Sequence, residues 1–240
     1  MCFYFIGAFQ MFQPQQVVEL LKPASGSHIL DLATGHGDTA MALAEAGCLV
    51  TAVDSSSKAV EKCKEIAQEK HLSGVTAQVM DAEQLSFQDK KFDGVTCRLA
   101  THHFNNVPLV LEQIAAVLKE NAPVIIGDRL APEDTELADF LALIGKLRDC
   151  TFTRIFTLKE WKKLLSDHGL KVVDYNITKD TIDATRWLER SPLSDEEKQR
   201  IHQAFIDSSP KMKEYFCSIF DKGKIISYTD DKILIKAIRA

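Results

Sequence analysis

Between about residues 15 and 130, short apolar runs rich in β-branched residues alternate with longer stretches whose apolar positions recur at three-and-four spacing. That alternation admits few folds, because each helical stretch must cross over and return the chain to a parallel neighbour. Strands are expected at HILDLA (28–33), CLVTAVD (48–54), VTAQVMD (75–81), FDGVTCR (92–98) and VIIGDR (124–129), short and apolar as strands buried on both faces should be. Helices are expected at TAMALAEAG, SSSKAVEKCKEIAQEKH and VPLVLEQIAAVLKE. The expected fold class is α/β, a doubly wound, mostly parallel seven-stranded sheet with a helical insertion before the last strand.

Beyond residue 130 the pattern changes. In APEDTELADFLALIGKLRD, the residues Pro132, Glu133 and Asp134 favour a helix N-terminus. Thr157 with Glu160 forms a capping box that opens LKEWKKLLSDHG, and Gly169 stops that helix. KVVDYNIT (171–178) is strand-like, and Ser194 with Glu197 opens a polar helix reaching about Ile206. The end, KIISYTDDKILIKAI, reads as two β-rich runs separated by a Thr-Asp-Asp turn, with residues 179–222 as an insertion between the last two strands. The whole of 1–240 is expected to form a single domain.

Composition narrows the partners. The net charge is -5, with 29 Lys plus Arg against 34 Asp plus Glu, and no stretch gathers the cations needed to follow a phosphate backbone, so nucleic acid is not expected. Every apolar run is interrupted by charge before it reaches the roughly 18 residues of a membrane span. The six cysteines, at 2, 48, 63, 97, 150 and 217, show no C-x-x-C spacing and read as reduced thiols of a cytoplasmic protein with no metal site. The uncharged opening MCFYFIGAFQMFQPQQVV lacks the basic region of a signal sequence; Phe3, Phe5, Ile6, Phe9 and Phe12 are expected to pack on the domain or to lie over a ligand.

In open α/β sheets ligands bind at the carboxyl ends of the strands, near the switch in strand order. The first such end is DLATGHGDTA, where Gly35 and Gly37 let backbone N–H groups approach a ligand closely. The G-x-G-x-x-A turn alone suits a nicotinamide dinucleotide as well as a nucleoside. Asp54, at the second strand end, can accept both hydroxyls of a ribose. At the third, Asp81 can accept from an exocyclic amine and the Ala82 N–H can donate to a ring nitrogen, the pair of contacts that adenine needs. Asp31, just before the glycine turn, would repel a pyrophosphate but attract an ammonium. Adenine, ribose and a cationic amino-acid end together describe S-adenosylmethionine.

In HILDLATGHGDTA, LVTAVDSS, MDAEQLSF and FDGVTCRLATHHF, in this order and at this spacing, the chain resembles the class I S-adenosylmethionine-dependent methyltransferases. Within them it is similar to the small-molecule branch that includes the ubiquinone and menaquinone C-methyltransferases. The resemblance covers about residues 26–130 and implies a Rossmann-like methyltransferase fold with its cofactor-binding core at 15–130. It implies that Asp31, Thr34, Gly35 and Gly37 line the methionine portion, Asp54 and Ser55 the ribose, and Asp81 and Ala82 the adenine, with Arg98 contributing its backbone. Ala33 stands where the family's first turn glycine usually falls, a variant shared with quinone-methylating relatives, and the helix before the core is short.

The residues after the fourth strand add a proton acceptor. Adjacent side chains point in different directions, so one of His102 and His103 is expected to face the reacting centre, and His103 is the candidate. The expected activity is methyl transfer by in-line displacement to a small-molecule acceptor, with S-adenosyl-L-homocysteine as product. Phe140, Phe152 and Phe156 are candidates for the acceptor pocket, the segments 131–158 and 179–222 for its lid, and Arg148, Arg154 and Arg186 for anchors of an anionic group. The chain is compatible with a homodimer. Two alternatives stay open: a nicotinamide-dependent oxidoreductase, which would need a second mononucleotide half, and a noncatalytic S-adenosylmethionine-binding protein.

Overall fold

The computed structural model describes residues 12–240, and the apolar opening, apart from Phe12, lies outside the described residues. The chain divides into two compact units. One comprises Gln13–Asp128, Leu158–Ile177 and Ile233–Ala240; the other comprises Arg129–Thr157 and Thr178–Lys232.

The sheet has the strands β1 (His28–Leu32), β2 (Leu49–Asp54), β3 (Val75–Val79), β4 (Gly94–Arg98), β5 (Pro123–Arg129), β6 (Leu170–Asp183) and β8 (Lys224–Arg239), in the order β3-β2-β1-β4-β5-β8-β6; the first unit holds β1 to β4, β5 up to Asp128, β6 up to Ile177 and β8 from Ile233. The central strands run parallel, with Asp31 opposite Ala52 on one side and Thr96 on the other. Their sequences explain the arrangement, since β1, β2, β4 and β5 are buried almost throughout while β3, at the sheet edge, is largely exposed. The chain leaves β1 for β2 and β3, then returns to β4 on the other side of β1. That reversal opens a crevice at the carboxyl ends of β1 and β4.

Helices α1 (Pro14–Leu21), α2 (Asp38–Glu45), α3 (Ser57–Glu69), α4 (Val107–Val117) and α6 (Leu158–Asp167) belong to the same unit. Ser56 caps α3 by accepting the Ala59 N–H, and Asn106 caps α4 through the Leu109 N–H. Gly169, at φ +70°, follows α6 in the left-handed conformation expected of a helix stop.

The second unit holds α5 (Thr135–Arg148), α7 (Ala184–Glu189), α8 (Asp195–Asp207), α9 (Pro210–Tyr215) and the short strand β7 (Ile219–Asp221), which pairs antiparallel with β8. The Ser194–Glu197 capping box opens α8 as the sequence predicts. The start of α5 differs: Asp134 is its cap, accepting the Leu137 N–H, so Pro132 and Glu133 precede the helix. Phe140, Phe205, Phe216 and Tyr228 form an aromatic core, with Phe140 edge-on to Phe205 at 5.2 Å and Phe205 at 5.0 Å from Tyr228.

Two sequence expectations are corrected. The Thr-Asp-Asp segment does not turn, because β8 runs unbroken through it. Asp230 is buried between Arg129 Nε and Lys232 Nζ, each 2.9 Å from its Oδ2, and Asp231 accepts the Tyr215 hydroxyl at 2.7 Å. Arg129 and Tyr215, from elsewhere in the chain, together with the neighbouring Lys232, hold carboxylates that would otherwise turn back on their own backbone. The insertion is also shorter than 179–222: β6 continues to Asp183, whose side chain caps α7 by accepting the Arg186 N–H, and the segment closes in the β7–β8 pairing.

Candidate active site

The β1 carboxyl end is shaped by three left-handed residues and one buried carboxylate. Ala33 has φ +49° and Gly35 φ +56°, so the chain turns sharply out of the strand. A Cβ on Gly35 would meet nothing within 4 Å and would project into open space. On Gly37, at φ +90°, it would lie 2.5 Å from Cys63 Sγ and 2.9 Å from Met41 Cε. The two glycines therefore serve different ends. Gly37 lets α2 start against α3, while Gly35 keeps a cradle clear.

Asp54, at the end of β2, fastens this turn. Its Oδ2 accepts the Gly35 N–H at 2.8 Å and its Oδ1 accepts the Ser56 N–H at 2.9 Å. Each oxygen retains a second lone pair for a ligand. Asp81 Oδ1 accepts the Glu83 N–H at 2.8 Å, and Glu83 Oε1 accepts the N–H groups of Asn105 and Asn106 at 2.8 and 3.0 Å. The loops after β3 and β4 are thus tied together.

These groups surround one cleft of about 320 Å³, lined by Ala33, Asp54, Ser55, Met80, Asp81, Ala82, Glu83, Leu99, Ala100, His103, Phe104 and Asn105. Its size falls within the range of small-molecule sites. Of the residues singled out by sequence, Ala33, Asp54, Ser55, Asp81, Ala82 and His103 meet there. A wider open groove of about 490 Å³ runs along α3 and β3 past Lys64, His71 and Leu72, with none of the strand-end carboxylates in its lining.

Asp31, Thr34, Gly35, Gly37 and Arg98 are not among the lining residues. Asp31 is 1% exposed, with Thr34 Oγ1 donating to its Oδ2 at 2.6 Å and Thr96 Oγ1 to its Oδ1 at 2.7 Å. Burial pushes its pKa up to about 6, against the downward pull of the two hydroxyls and Arg98. Arg98 lies against the start of α2, its Nε donating to Thr39 Oγ1 at 2.9 Å. Burial raises the Cys63 thiol to about 11 and holds the Cys97 thiol well above its ordinary value, so neither is a nucleophile at neutral pH.

The fourth strand end carries both histidines in a short 3₁₀ turn, Thr101–His103. Their ring centroids are 4.1 Å apart, and His102 Nδ1 lies 2.6 Å from the buried Asp128 Oδ1. Sequence reasoning passed over Asp128, as it did Glu83 and Leu99. The signal for Asp128 was available in VIIGDR, where a carboxylate ends an otherwise apolar buried strand.

The candidate acceptor residues lie elsewhere. Phe140 and Phe152 are buried in the aromatic core of the second unit, Phe152 against Gly145, and Phe156 is buried beneath the Arg154 guanidinium. Arg148 stacks on Trp187 and donates to its carbonyl, and Arg186 is exposed beside Asp183. Among the described residues no helix is long and apolar enough to cross a membrane, and no three potential metal ligands cluster together.

A glycine turn and carboxylates at successive strand ends border one cleft of this α/β sheet. The chain belongs to the class I S-adenosylmethionine-dependent methyltransferase family. The family described as Methyltransferase domain matches residues 29–121. An uncharacterized methyltransferase, YcgJ of Bacillus subtilis, is 32% identical over 212 residues, covering 88% of this chain and 84% of the relative. The YcgJ crystal structure superposes with a TM-score of 0.91 over 94% of this chain and 97% of that one, at 29% identity. A second structure, from Bacillus halodurans, gives a TM-score of 0.92 at 25% identity over 95% and 99% of the two chains. A demethylmenaquinone methyltransferase of Thermotoga maritima is 35% identical over 120 residues, about half of each chain. The nicotinamide oxidoreductase alternative falls with this membership.

Proposed function

We propose that this enzyme moves the methyl group of S-adenosylmethionine to a small, partly apolar acceptor in the cytoplasm, releasing S-adenosylhomocysteine. The observation that carries this reading is the convergence on one cleft of Asp54, the Asp81–Ala82 loop and the turn at Ala33, with open space beside Gly35 that any side chain would fill. Asp54 and Ser55 hold the ribose hydroxyls, while Asp81 and the Ala82 N–H read the adenine edge. Ala33, Thr34, Gly35 and Gly37 shape the methionine end, Arg98 adds its backbone, and Asp31 acts from beneath on the ligand ammonium through its charge.

When bound, the cofactor supplies an electrophilic methyl carbon on a sulfonium, open to in-line displacement. The protein's task is then to position the acceptor, exclude water and take a proton where the acceptor atom loses one. His103, which lines the cleft, is the candidate for that proton. The segments 131–158 and 179–222, grouped with the second compact unit, are proposed as the acceptor-specific part of a single functional domain. That unit's aromatic core gives it the means to fold as a body.

Calorimetry with S-adenosylhomocysteine against NADH tests the cofactor, and labelled methyl transfer to a panel of hydroquinones and phenols tests the acceptor class. Binding of S-adenosylhomocysteine with transfer to at least one panel member is expected. Binding without transfer to any would favour the noncatalytic alternative, and binding of NADH alone would overturn the reading.

A further inference from the structure

The two strands that end the sheet order differ in chemistry. β6 carries Lys171, Asp174, Lys179 and Asp180, charges of the kind that keep an edge from pairing with another chain. β3 is VTAQV, with no charge, no proline and no break in its register against β2. The bonds at its two ends fix its parity. The Gly74 carbonyl accepts the Val50 N–H at 2.8 Å, and the Met80 N–H donates to the Asp54 carbonyl at 3.0 Å. Even-numbered residues therefore bond to β2, while Ala77 and Val79 turn both N–H and C=O outward and Val75 turns its carbonyl outward. Among the described residues no strand pairs with that side, and Val79 is 56% exposed.

Beside this edge runs the open groove of about 490 Å³ between α3 and β3, with Ala67, Val75 and Ala77 in its lining. Lys64 and Gln68 line it too, and Glu61 lies one turn before Lys64 on the same exposed stripe of α3. That stripe is acidic at one end and basic further along, so it attracts its own copy when the two run antiparallel.

We propose that the β3 edge and the α3 stripe form the interface of a homodimer, in which β3 pairs antiparallel with its own copy about Ala77. This register sets Val75 opposite Val79 of the second chain and Thr76 opposite Gln78, apolar against apolar and polar against polar. The two Ala77 residues exchange both N–H···O bonds across a two-fold axis normal to the sheet. Both α3 helices then lie on one face. Each packs over β2 and β3, and strands are about 4.8 Å apart, so the two helix axes come about 10 Å apart, an ordinary packing distance. The groove of each chain is thus filled by α3 of the other. Pairing of five strand residues alone falls short of the roughly 1,200 Å² that a stable interface buries, and the helix contact supplies the remainder. None of these residues is in the lining of the strand-end cleft.

Sedimentation of the full chain, from micromolar concentration to about 0.1 mM, should show a monomer–dimer equilibrium. Amide exchange locates the interface. The Ala77 and Val79 N–H groups should exchange more slowly as concentration rises, while those of Thr76 and Gln78, bonded to β2, stay protected throughout. Lys64→Glu, at an exposed position, makes the stripe wholly acidic and should weaken association by about tenfold or more. Ala77→Pro, which a sheet edge tolerates, removes the central N–H and should leave a monomer. Both variants should bind S-adenosylhomocysteine as the parent does. A parent that stays monomeric at about 0.1 mM overturns the proposal. So does a dimer whose Ala77 and Val79 amides exchange as fast as in the monomer, or one that forms equally well in both variants, since either result puts the interface elsewhere.

Discussion

Replacing Asp31 by Asn should make the ligand-free protein more stable at neutral pH and a poorer binder of its cofactor. Asp31 is enclosed between Ala52 and Thr96 of the flanking strands, and burial raises its pKa from 3.8 to about 6. A rise of that size corresponds to roughly 3 kcal/mol against the ionised form once the pH is well above 6. The folded pKa lies above the unfolded one, so the favourable contribution is complete below pH 3.8 and is lost as the pH climbs through about 6. Asn carries no such penalty and can still meet both hydroxyls, accepting from one and donating to the other. The two proteins should therefore have similar stability only at about pH 3.5, below the unfolded value. By pH 7.5 the Asn variant should lead by roughly 2–3 kcal/mol, or about 5–10 °C in a chain of this length.

Thermal unfolding of both proteins across that pH range, without ligand, measures the difference. Curves that stay parallel would mean that Asp31 does not titrate with a raised pKa, and an Asn variant less stable at pH 7.5 would refute the burial argument outright. Calorimetry supplies the functional half. A ligand ammonium favours the ionised form, so parental affinity for S-adenosylhomocysteine should fall as the pH drops below about 6. The variant should bind weakly with no such slope. The gain in stability at the expense of binding is the expected signature of a group kept for function.

The remaining predictions concern the turn. Gly37→Ala should destabilise the fold by about 2–4 kcal/mol, since the new methyl meets Cys63 and Met41 in a left-handed backbone, whereas Gly35→Ala should cost only about 1–2 kcal/mol yet abolish S-adenosylhomocysteine binding. Urea titration with calorimetry separates them, and equal effects on both readouts would remove the distinction between packing and cradle. Asp54→Ala should weaken binding by at least about 1.5–3 kcal/mol for each lost charge-assisted ribose contact, and unchanged calorimetric affinity would sink the ribose assignment. Ala33→Gly should relieve about 1–2 kcal/mol of left-handed strain while freeing the unfolded chain by about 0.4–1 kcal/mol, a net change between zero and a modest gain. A clear loss in urea would show instead that the Ala33 methyl is needed for packing.

What the sequence made legible follows the range of the forces involved. The central strands and their helices were readable because a strand buried on both faces must be apolar over consecutive residues, and Ile29, Leu30 and Leu32 obey that without reference to anything distant. The placement of the strand ends was readable for the same reason: Asp54 and Gly35 sit where the backbone itself fixes their position. Asp230 shows where such reading fails. Thr-Asp-Asp has the composition of a turn, and only the approach of Arg129, 101 residues away in sequence, makes an extended conformation the cheaper way to bury the carboxylate. Asp128 and His102, 26 residues apart, obey the same rule, because they meet only once the parallel register brings Gly127 against Leu99. A charged residue inside an apolar strand therefore predicts a partner without naming it. The next place to look is the residue at the same level on the neighbouring strand, which for Asp128 leads through Leu99 to the histidine turn and for Asp31 leads directly to Thr96.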